Sequence, residues 1–186
     1  MTNLSHNTAL IIIDVQDGFS DPTWGNRNNP HAEANIAKLL ALWREKKRPI
    51  YHIQHMSTHP DSPLRPNQAG NTIQRIVAPQ GDEPVIQKAV NSAFIGTDLE
   101  NRLRKNAIHS VVIVGLTTNH CVETTTRMAG NLGFNTFIVA DATATFDRMG
   151  YDGILYPAET IHAISLANLN DEFATIVTTD ALLTTP

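Results

Sequence analysis

Six short runs of apolar residues, rich in Ile, Val and Phe, recur along the chain and limit what it can fold into. Most of these runs are continuous and do not alternate with polar residues. A continuous apolar run of this length is typical of a strand that is covered on both faces. The sequence therefore predicts six strands, over Thr8–Val15, Arg48–Gln54, Pro84–Lys88, Ser110–Gly115, Asn135–Ala140 and Phe173–Thr178.

Helical patterns lie between the predicted strands. In His31–Lys47 the apolar residues are spaced so that they form one face of a helix. Thr97 is predicted to cap a helix over Asp98–Lys105, with Glu100 at the spacing of a capping box. Two further helices are predicted over Cys121–Gly130 and Ala158–Leu169.

Strands that alternate with helices favour a parallel sheet with helices packed on both faces. We expect an α/β protein with a three-layer Rossmann-like fold and a six-stranded, mainly parallel sheet. The chain has 186 residues, of which 41% are hydrophobic and 17% are charged. This balance is typical of a globular protein, and the length suits one domain. We therefore expect residues 1–186 to form a single domain.

One long stretch, Met56–Glu83, has no convincing periodicity. Prolines recur in it at positions 60, 63, 66 and 79, and Pro84 follows it. A compact domain rarely keeps so long a loop without using it. We interpret the stretch either as a wall over a functional site or as an arm at a subunit interface.

The charge of the chain argues against two classes of partner. The formal net charge is −4 and the sequence pI is near 6.0, so binding to nucleic acid or to an anionic membrane is not expected. The apolar stretch Ala9–Ile13 is too short to span a bilayer, and Asp14 ends it. No basic leader or small-residue cleavage site accompanies it. We expect a cytoplasmic protein.

Reactive side chains stand at the ends of three predicted strands. Asp14 ends the first strand, Lys88 ends the third, and the fourth leads through a short turn to Cys121, where a helix is predicted to begin. Singly, each has an ordinary interpretation as a turn cap, a solvated charge or a small buried side chain. In an open parallel sheet, however, ligands bind beyond the carboxyl ends of the strands. Their shared position therefore favours a joint function.

The chemistry of these three residues fits nucleophilic catalysis. Cys121 is the only cysteine of the chain, so no intrachain disulfide can form. A helix N-terminus stabilises the reactive thiolate, and Lys88 would add positive charge. Asp14 could accept the thiol proton and later pass it to a leaving nitrogen. The turn Gly115–His120 offers successive backbone N–H groups that suit an oxyanion.

Three motifs, Ile12–Phe19, Lys88–Phe94 and Gly115–Val122, together span nearly the whole chain. They resemble those of the isochorismatase-like cysteine hydrolases. The motif around the nucleophile is the most specific, because it contains both the cysteine and the turn before it. The resemblance implies Asp14 as general base, Lys88 as electrostatic stabiliser and Cys121 as nucleophile.

The resemblance also implies a cis peptide bond between Leu116 and Thr117, which would aim the N–H groups of Thr117 and Cys121 at a substrate oxygen. Family members that cleave the vinyl ether of isochorismate lack the nucleophilic cysteine. Its presence here favours hydrolysis of a C–N bond in a small amide, ureido or carbamoyl compound through a thioester. This chemistry is similar to that of nicotinamidases and of carbamoylsarcosine and ureidoacrylate amidohydrolases. Because the family is usually oligomeric, we expect a homo-oligomer.

Histidines near the end of the second strand raise the question of a metal. Nicotinamidases carry an Asp-x-His motif there, whereas this chain reads Gln54-His55-Met56-Ser57. His52, His55 and His59 are candidates for contact with substrate, a subunit interface or a metal. Strand alternation, however, places His52 and His55 on opposite faces, and catalytic metal sites generally need three convergent ligands. We predict no metal. No nucleotide-binding motif is present, so no cofactor is expected.

Four further residues are predicted to bind the substrate. Phe19 and Trp24 follow the first strand, and Phe146 follows the fifth. These aromatic side chains could sandwich a small planar molecule, or they could pack within the loops. Asn119 could hydrogen-bond a substrate amide, or it could stabilise the turn before the helix.

Two other functions remain open from the sequence. The first is hydrolysis of another small compound, such as an ester or a cyclic imide. The second belongs to a different class, a non-catalytic oligomer that binds a small molecule. The intact set of Asp14, Lys88 and Cys121 argues against the second, because a binding protein has no use for an activated thiol.

Overall fold

A six-stranded sheet forms the centre of the molecule, and two short strands form a hairpin beside it. The computed structural model describes residues 4–184. The strands span Ala9–Ile13 (β1), Ile50–His55 (β2), Val85–Lys88 (β3), Ser110–Leu116 (β4), Asn135–Ala144 (β5), Arg148–Met149 (β6), Leu155–Tyr156 (β7) and Thr175–Val177 (β8). The sheet has the order β3-β2-β1-β4-β5-β8 with all neighbours parallel, while β6 and β7 are antiparallel. The predicted α/β class and all six predicted strands are confirmed.

Two apolar cores, one on each face of the sheet, explain why the strand sequences are continuously apolar. In β1, Ile11 and Ile13 belong to one core, whereas Leu10 and Ile12 belong to the other. The helices span Ala32–Glu45 (α1), Leu99–Lys105 (α2), Glu123–Asn131 (α3), Ala158–Leu169 (α4) and Thr179–Leu183 (α5). Helices α2, α3 and α4 contribute to the first core, and α1 and α5 to the second. Within residues 4–184 no helix is both long enough and apolar enough to cross a membrane.

The start of α2 differs from the prediction. The Oγ1 atom of Thr97 accepts a hydrogen bond from the N–H of Leu99 at 3.4 Å. The carboxylate of Glu100, however, accepts a hydrogen bond from Arg104 at 2.8 Å. In a capping box this carboxylate would instead accept a hydrogen bond from the backbone N–H of Thr97. The predicted capping box is therefore wrong.

Amide side chains tie the long loop Met56–Glu83 to the sheet. Asn71 Nδ2 donates to the carbonyl oxygens of His55 and Leu64, at 2.8 and 2.7 Å. Gln16, which follows β1, donates to the carbonyl oxygens of His55 and Asn71 and accepts from the N–H of His55. The first part of the loop lines the main cavity. The structure therefore agrees with the interpretation of the loop as a wall.

Candidate active site

The strand order reverses between β1 and β4, and the candidate active site lies at this point, as expected for an open parallel sheet. Gly115 in β4 has φ of 124°, and a Cβ atom there would collide with the backbone of Ile13. Only glycine allows β1 and β4 to approach so closely at their ends. Asp14, the residue directly after β1, has φ of 50°, and its N–H donates to the carbonyl oxygen of Ile53 at 3.0 Å. These contacts fix the position of the carboxylate.

Asp14 and Lys88 form a buried ion pair. Lys88 Nζ lies 2.6 Å from Oδ2 of Asp14, and both side chains are fully buried. The other oxygen of Asp14, Oδ1, is also buried and has no hydrogen-bond partner in the described part of the chain. Burial raises the pKa of Asp14, and the charge of Lys88 offsets this only in part. A carboxylate with a free buried oxygen is suited to accept a proton.

Cys121 lies in a π-helical turn, Thr118–Val122, that precedes α3. The helical segment thus begins before Cys121 and not at it. The Sγ atom of Cys121, an oxygen of Asp14 and a ring nitrogen of His55 lie within 4.8 Å of one another. Burial, together with the charge of Asp14, raises the pKa of the Cys121 thiol to about 12 against the opposing effect of Lys88. Burial thus favours the neutral thiol, whose proton Asp14 could accept, and it opposes the stabilisation of the thiolate by Lys88.

The turn before the nucleophile contains the cis peptide bond that the resemblance implied, between Leu116 and Thr117. Thr117 lines the cavity together with Cys121. Its carbonyl oxygen accepts hydrogen bonds from the N–H groups of His120 and Val122, at 3.1 and 3.3 Å. These bonds close the turn around Cys121. The binding of an oxyanion by the N–H groups of Thr117 and Cys121 stays a prediction.

A cavity of about 690 Å³ contains the reacting groups Asp14 and Cys121. This volume is in the range of small-molecule sites. Phe19 and Trp24 line it, and their contact with a substrate stays a prediction. The long loop contributes Ser57, His59, Asp61, Ser62, Pro63 and Leu64.

Two of the predicted substrate-binding residues lie outside the lining of the cavity. The ring of Phe146 is buried and lies 6.2 Å from that of Phe19 and 5.5 Å from that of Trp24, between centroids. It therefore supports the two aromatic side chains that do line the cavity. Asn119 accepts a hydrogen bond from Thr145 through Oδ1. This hydrogen bond ties the turn before α3 to the residue after β5, and contact of Asn119 with a substrate stays a prediction.

The three candidate histidines have different environments. His55 lines the cavity, and its Nδ1 accepts a hydrogen bond from Lys88 at 3.1 Å. Burial and the charge of Lys88 lower the pKa of His55 to about 4, so the ring is neutral at ordinary pH. His59 also lines the cavity. His52 does not line the cavity. Its Nε2 hydrogen-bonds with Glu83 at 2.9 Å.

Asp14, His55 and Cys121 are the one group of metal-binding side chains within residues 4–184 whose ligand atoms converge. The ammonium of Lys88 lies against two of them, 2.6 Å from Asp14 and 3.1 Å from His55. A cation among these three groups would meet that positive charge at short range. The expectation of no metal stays a prediction.

His120 and Arg148 are among the polar residues of the cavity that were not predicted from the sequence. His120 precedes Cys121, and burial lowers its pKa, as does the charge of Arg148. Arg148 stands on β6, two residues after Phe146. Its proximity in sequence to a predicted binding residue was the only signal. The two-residue strand that places it at the cavity has no recognisable pattern.

Asp14, Lys88 and Cys121 lie near the reversal point of a parallel α/β sheet, and the comparison with known proteins gives the family. The family described as the isochorismatase domain matches residues 8–181. The chain therefore belongs to the isochorismatase family, and it is a hydrolase related to amidohydrolases. The predicted resemblance is confirmed.

Relatives match along almost the whole chain. Isochorismatase family protein YrdC of Bacillus subtilis is 54% identical, over 97% of this chain and 96% of its own length. Nicotinamidase 3 of Arabidopsis thaliana is 30% identical, over 94% of this chain and 86% of its own length. The structure of an isochorismatase-family protein from Chromobacterium violaceum has a TM-score of 0.95 and 42% identity, and the match covers 98% of this chain and 95% of that one.

Proposed function

We propose that this protein is a cysteine hydrolase that cleaves the C–N bond of a small amide, ureido or carbamoyl compound through a thioester. The proposal rests on one observation. The carboxylate of Asp14 and the thiol of Cys121 line one cavity, and the buried ammonium of Lys88 lies 2.6 Å from the carboxylate, although the three residues come from separate elements. A thiol beside a buried base and a cation is suited to acyl transfer.

In the first half-reaction Asp14 takes the thiol proton while Sγ of Cys121 attacks the substrate carbonyl carbon. Because the pKa of the resting thiol is about 12, the base must act at the moment of attack. One electron pair of the carbonyl group moves to its oxygen, where the N–H groups of Thr117 and Cys121 and the charge of Lys88 stabilise it. When this pair returns, the C–N bond breaks and the nitrogen takes the proton from Asp14. The products are an amine or ammonia and a thioester on Cys121.

The second half-reaction repeats this sequence of proton transfers with water as the nucleophile. Asp14 takes a proton from a water molecule while the oxygen of that water attacks the thioester carbon. The C–S bond then breaks, and the sulfur recovers its proton from Asp14. One buried carboxylate thus acts as base and acid in both halves, in keeping with its raised pKa.

The cavity favours a small planar substrate. Phe19 and Trp24 present aromatic surface to it, and their ring centroids lie 5.2 Å apart. The relative named nicotinamidase 3 supports an amide as the substrate class. We propose these two residues as direct substrate contacts, with Phe146 and Asn119 acting from outside the lining.

The proposal extends to a homo-oligomer that acts in the cytoplasm. A catalytic thiol works only in its reduced form, which a reducing compartment maintains. Exposed apolar side chains cluster on the β6–β7 hairpin, where a second copy would cover them. They are Met149, Tyr151, Ile154 and Leu155. Light scattering coupled to gel filtration tests the oligomeric state directly.

Screening a panel of primary amides, ureido acids and carbamoyl compounds for ammonia release tests the proposed reaction. The Cys121→Ser variant is the control, and a covalent acyl adduct of the wild-type protein should be detected by mass spectrometry after acid quenching. Turnover of esters or imides alone would favour the first alternative. Ligand binding without any turnover across the panel would favour the non-catalytic oligomer and overturn the proposal.

A further inference from the structure

His162, a half-buried residue of α4, is the partner of a buried hydroxyl in the turn that carries Cys121. Its Nδ1 atom lies 2.9 Å from Oγ1 of Thr118. Thr118 is fully buried, and within residues 4–184 its hydroxyl has no other hydrogen-bond partner. A buried hydroxyl that loses its partner is costly to the fold. The bond to His162 therefore fixes the side chain of Thr118.

The ring of His162 is suited to accept this hydrogen bond. Burial lowers its pKa below the ordinary value and outweighs the opposing effects of the carbonyl group of Ala140 and the charge of Glu159. The ring is therefore neutral at neutral pH, and a neutral imidazole has one acceptor nitrogen. With the ring proton on Nε2, the Nδ1 atom accepts from the hydroxyl of Thr118.

Thr118 is the first residue of the π-helical turn Thr118–Val122, and helix α4 packs against this turn. It lies between Thr117 and Cys121, the two residues whose N–H groups are proposed to bind the oxyanion. The next residue, Asn119, accepts a hydrogen bond from Thr145, directly after β5. Side chains from two elements outside the turn thus hold its first two residues. A π-helical turn is an irregular structure that is often found at functional sites.

We propose that His162 is a positioning residue for the oxyanion-binding turn. Through Thr118 it keeps the N–H groups of Thr117 and Cys121 aimed at the substrate oxygen. His162 itself does not line the cavity, so it has no contact with the reacting atoms. The inference rests on the proposed function, because an oxyanion forms only when Cys121 attacks a carbonyl group. A displacement of about 1 Å in such a site can cost on the order of 100-fold in rate.

Two reagents for the single thiol of the chain separate this role from a general structural one. With p-nitrophenyl acetate, Sγ of Cys121 attacks the carbonyl carbon, an oxyanion forms, and p-nitrophenolate leaves with the C–O electron pair to give the thioester. With iodoacetamide, the same sulfur displaces iodide from a saturated carbon and no oxyanion forms. In both reactions Asp14 can take the thiol proton. Only the first reaction therefore depends on the N–H groups of the turn.

Second-order rate constants for both reagents are measured in the wild type, His162→Phe, His162→Asn and Thr118→Val. The His109→Phe variant is the control, since His109 is exposed and lies outside the cavity lining. We expect His162→Phe and Thr118→Val each to lose about ten-fold in acylation, with alkylation unchanged. The Asn variant keeps an acceptor near the position of Nδ1 and should recover most of this loss. The double variant should lose no more than either single one, because both remove the same bond.

Equal losses in acylation and alkylation would show that His162 only maintains the structure around Cys121, and unchanged acylation would show that it has no effect there. Either result would overturn the positioning role and leave the proposed function intact. A wild type that is alkylated but not acylated would instead reject the thioester and, with it, the role of His162. Thermal unfolding shows which variants fold. If His162→Phe does not, Thr118→Val decides, because it removes the same bond from the other partner.

Discussion

The ammonium nitrogen of Lys88 lies 2.6 Å from a carboxylate oxygen of Asp14, which is 74 positions away in sequence, and neither side chain is exposed. A buried ion pair is weak evidence of stabilisation, but loss of one partner leaves the other charge unpaired at a substantial cost. Variants of either residue therefore need a folding measurement beside each kinetic one.

Replacement of Cys121 by alanine should abolish hydrolysis and leave the fold intact. No other thiol exists in the chain to take over the reaction. The methyl group fits the space of the buried thiol, so we expect a loss of only about 1 kcal/mol in the free energy of unfolding. Turnover and thermal unfolding of the variant check both parts. Near-native turnover would end the thioester mechanism.

The Lys88→Met variant should lose about 100- to 1,000-fold in kcat, because one stabiliser of the oxyanion is removed. Lys105→Met is the matched control, since Lys105 is exposed on α2. Circular dichroism shows whether the variant still folds when Asp14 has lost its partner. If kcat and KM of the folded Lys88 variant equal those of the control, Lys88 has no part in the reaction.

Asp14→Asn should bind substrate and fail to form the thioester, because the amide cannot take the thiol proton. Rapid mixing with a good substrate measures this as the loss of the initial burst of amine. In the wild type, the base form of Asp14 disappears as the pH falls through its pKa. Since burial raises that pKa above the ordinary 3.8, kcat/KM should decline at a higher pH than for an exposed aspartate. A full burst from the variant would exclude Asp14 as the base.

His55 should act through Lys88, and two substitutions separate this role from direct substrate contact. The Nδ1 atom of His55 accepts from Lys88 at 3.1 Å, so a neutral ring carries its proton on Nε2. His55→Asn keeps an acceptor near the position of Nδ1, whereas His55→Gln does not. We expect the Gln variant to lose about ten-fold in kcat and the Asn variant much less. Equal kcat losses, or changes confined to KM, would contradict positioning of Lys88.

Chelators should leave the activity unchanged. The ammonium of Lys88 lies against both Asp14 and His55, and this charge opposes a cation among the converging groups. Activity is measured after dialysis against EDTA and again after addition of Zn²⁺ or Mn²⁺. Inactivation that the metal reverses would make Asp14, His55 and Cys121 a ligand set.

The sequence could predict what depends on local pattern. The six strands follow from continuous apolar runs, and Asp14, Lys88 and Cys121 follow from the topology that brings strand ends to one edge. The protonation of Cys121 could not be predicted, because it depends on how far burial outweighs Lys88. Arg148 was missed since a two-residue strand places it, and the roles of Asn119 and Phe146 depended on which side chains the folded loops left at the cavity surface.

The hydrogen bonds of Gln16 and Asn71 divide the long loop into a fixed anchor and a tip. The anchor is tied to the end of β2, beside the residues proposed for chemistry. The tip, residues 59–63, contributes side chains to the cavity from outside this network. Substitutions at the tip can therefore alter substrate choice while the reacting groups keep their geometry. A library confined to the tip residues that line the cavity, His59, Asp61, Ser62 and Pro63, would change which small molecules the cavity admits without rebuilding the proposed catalytic apparatus.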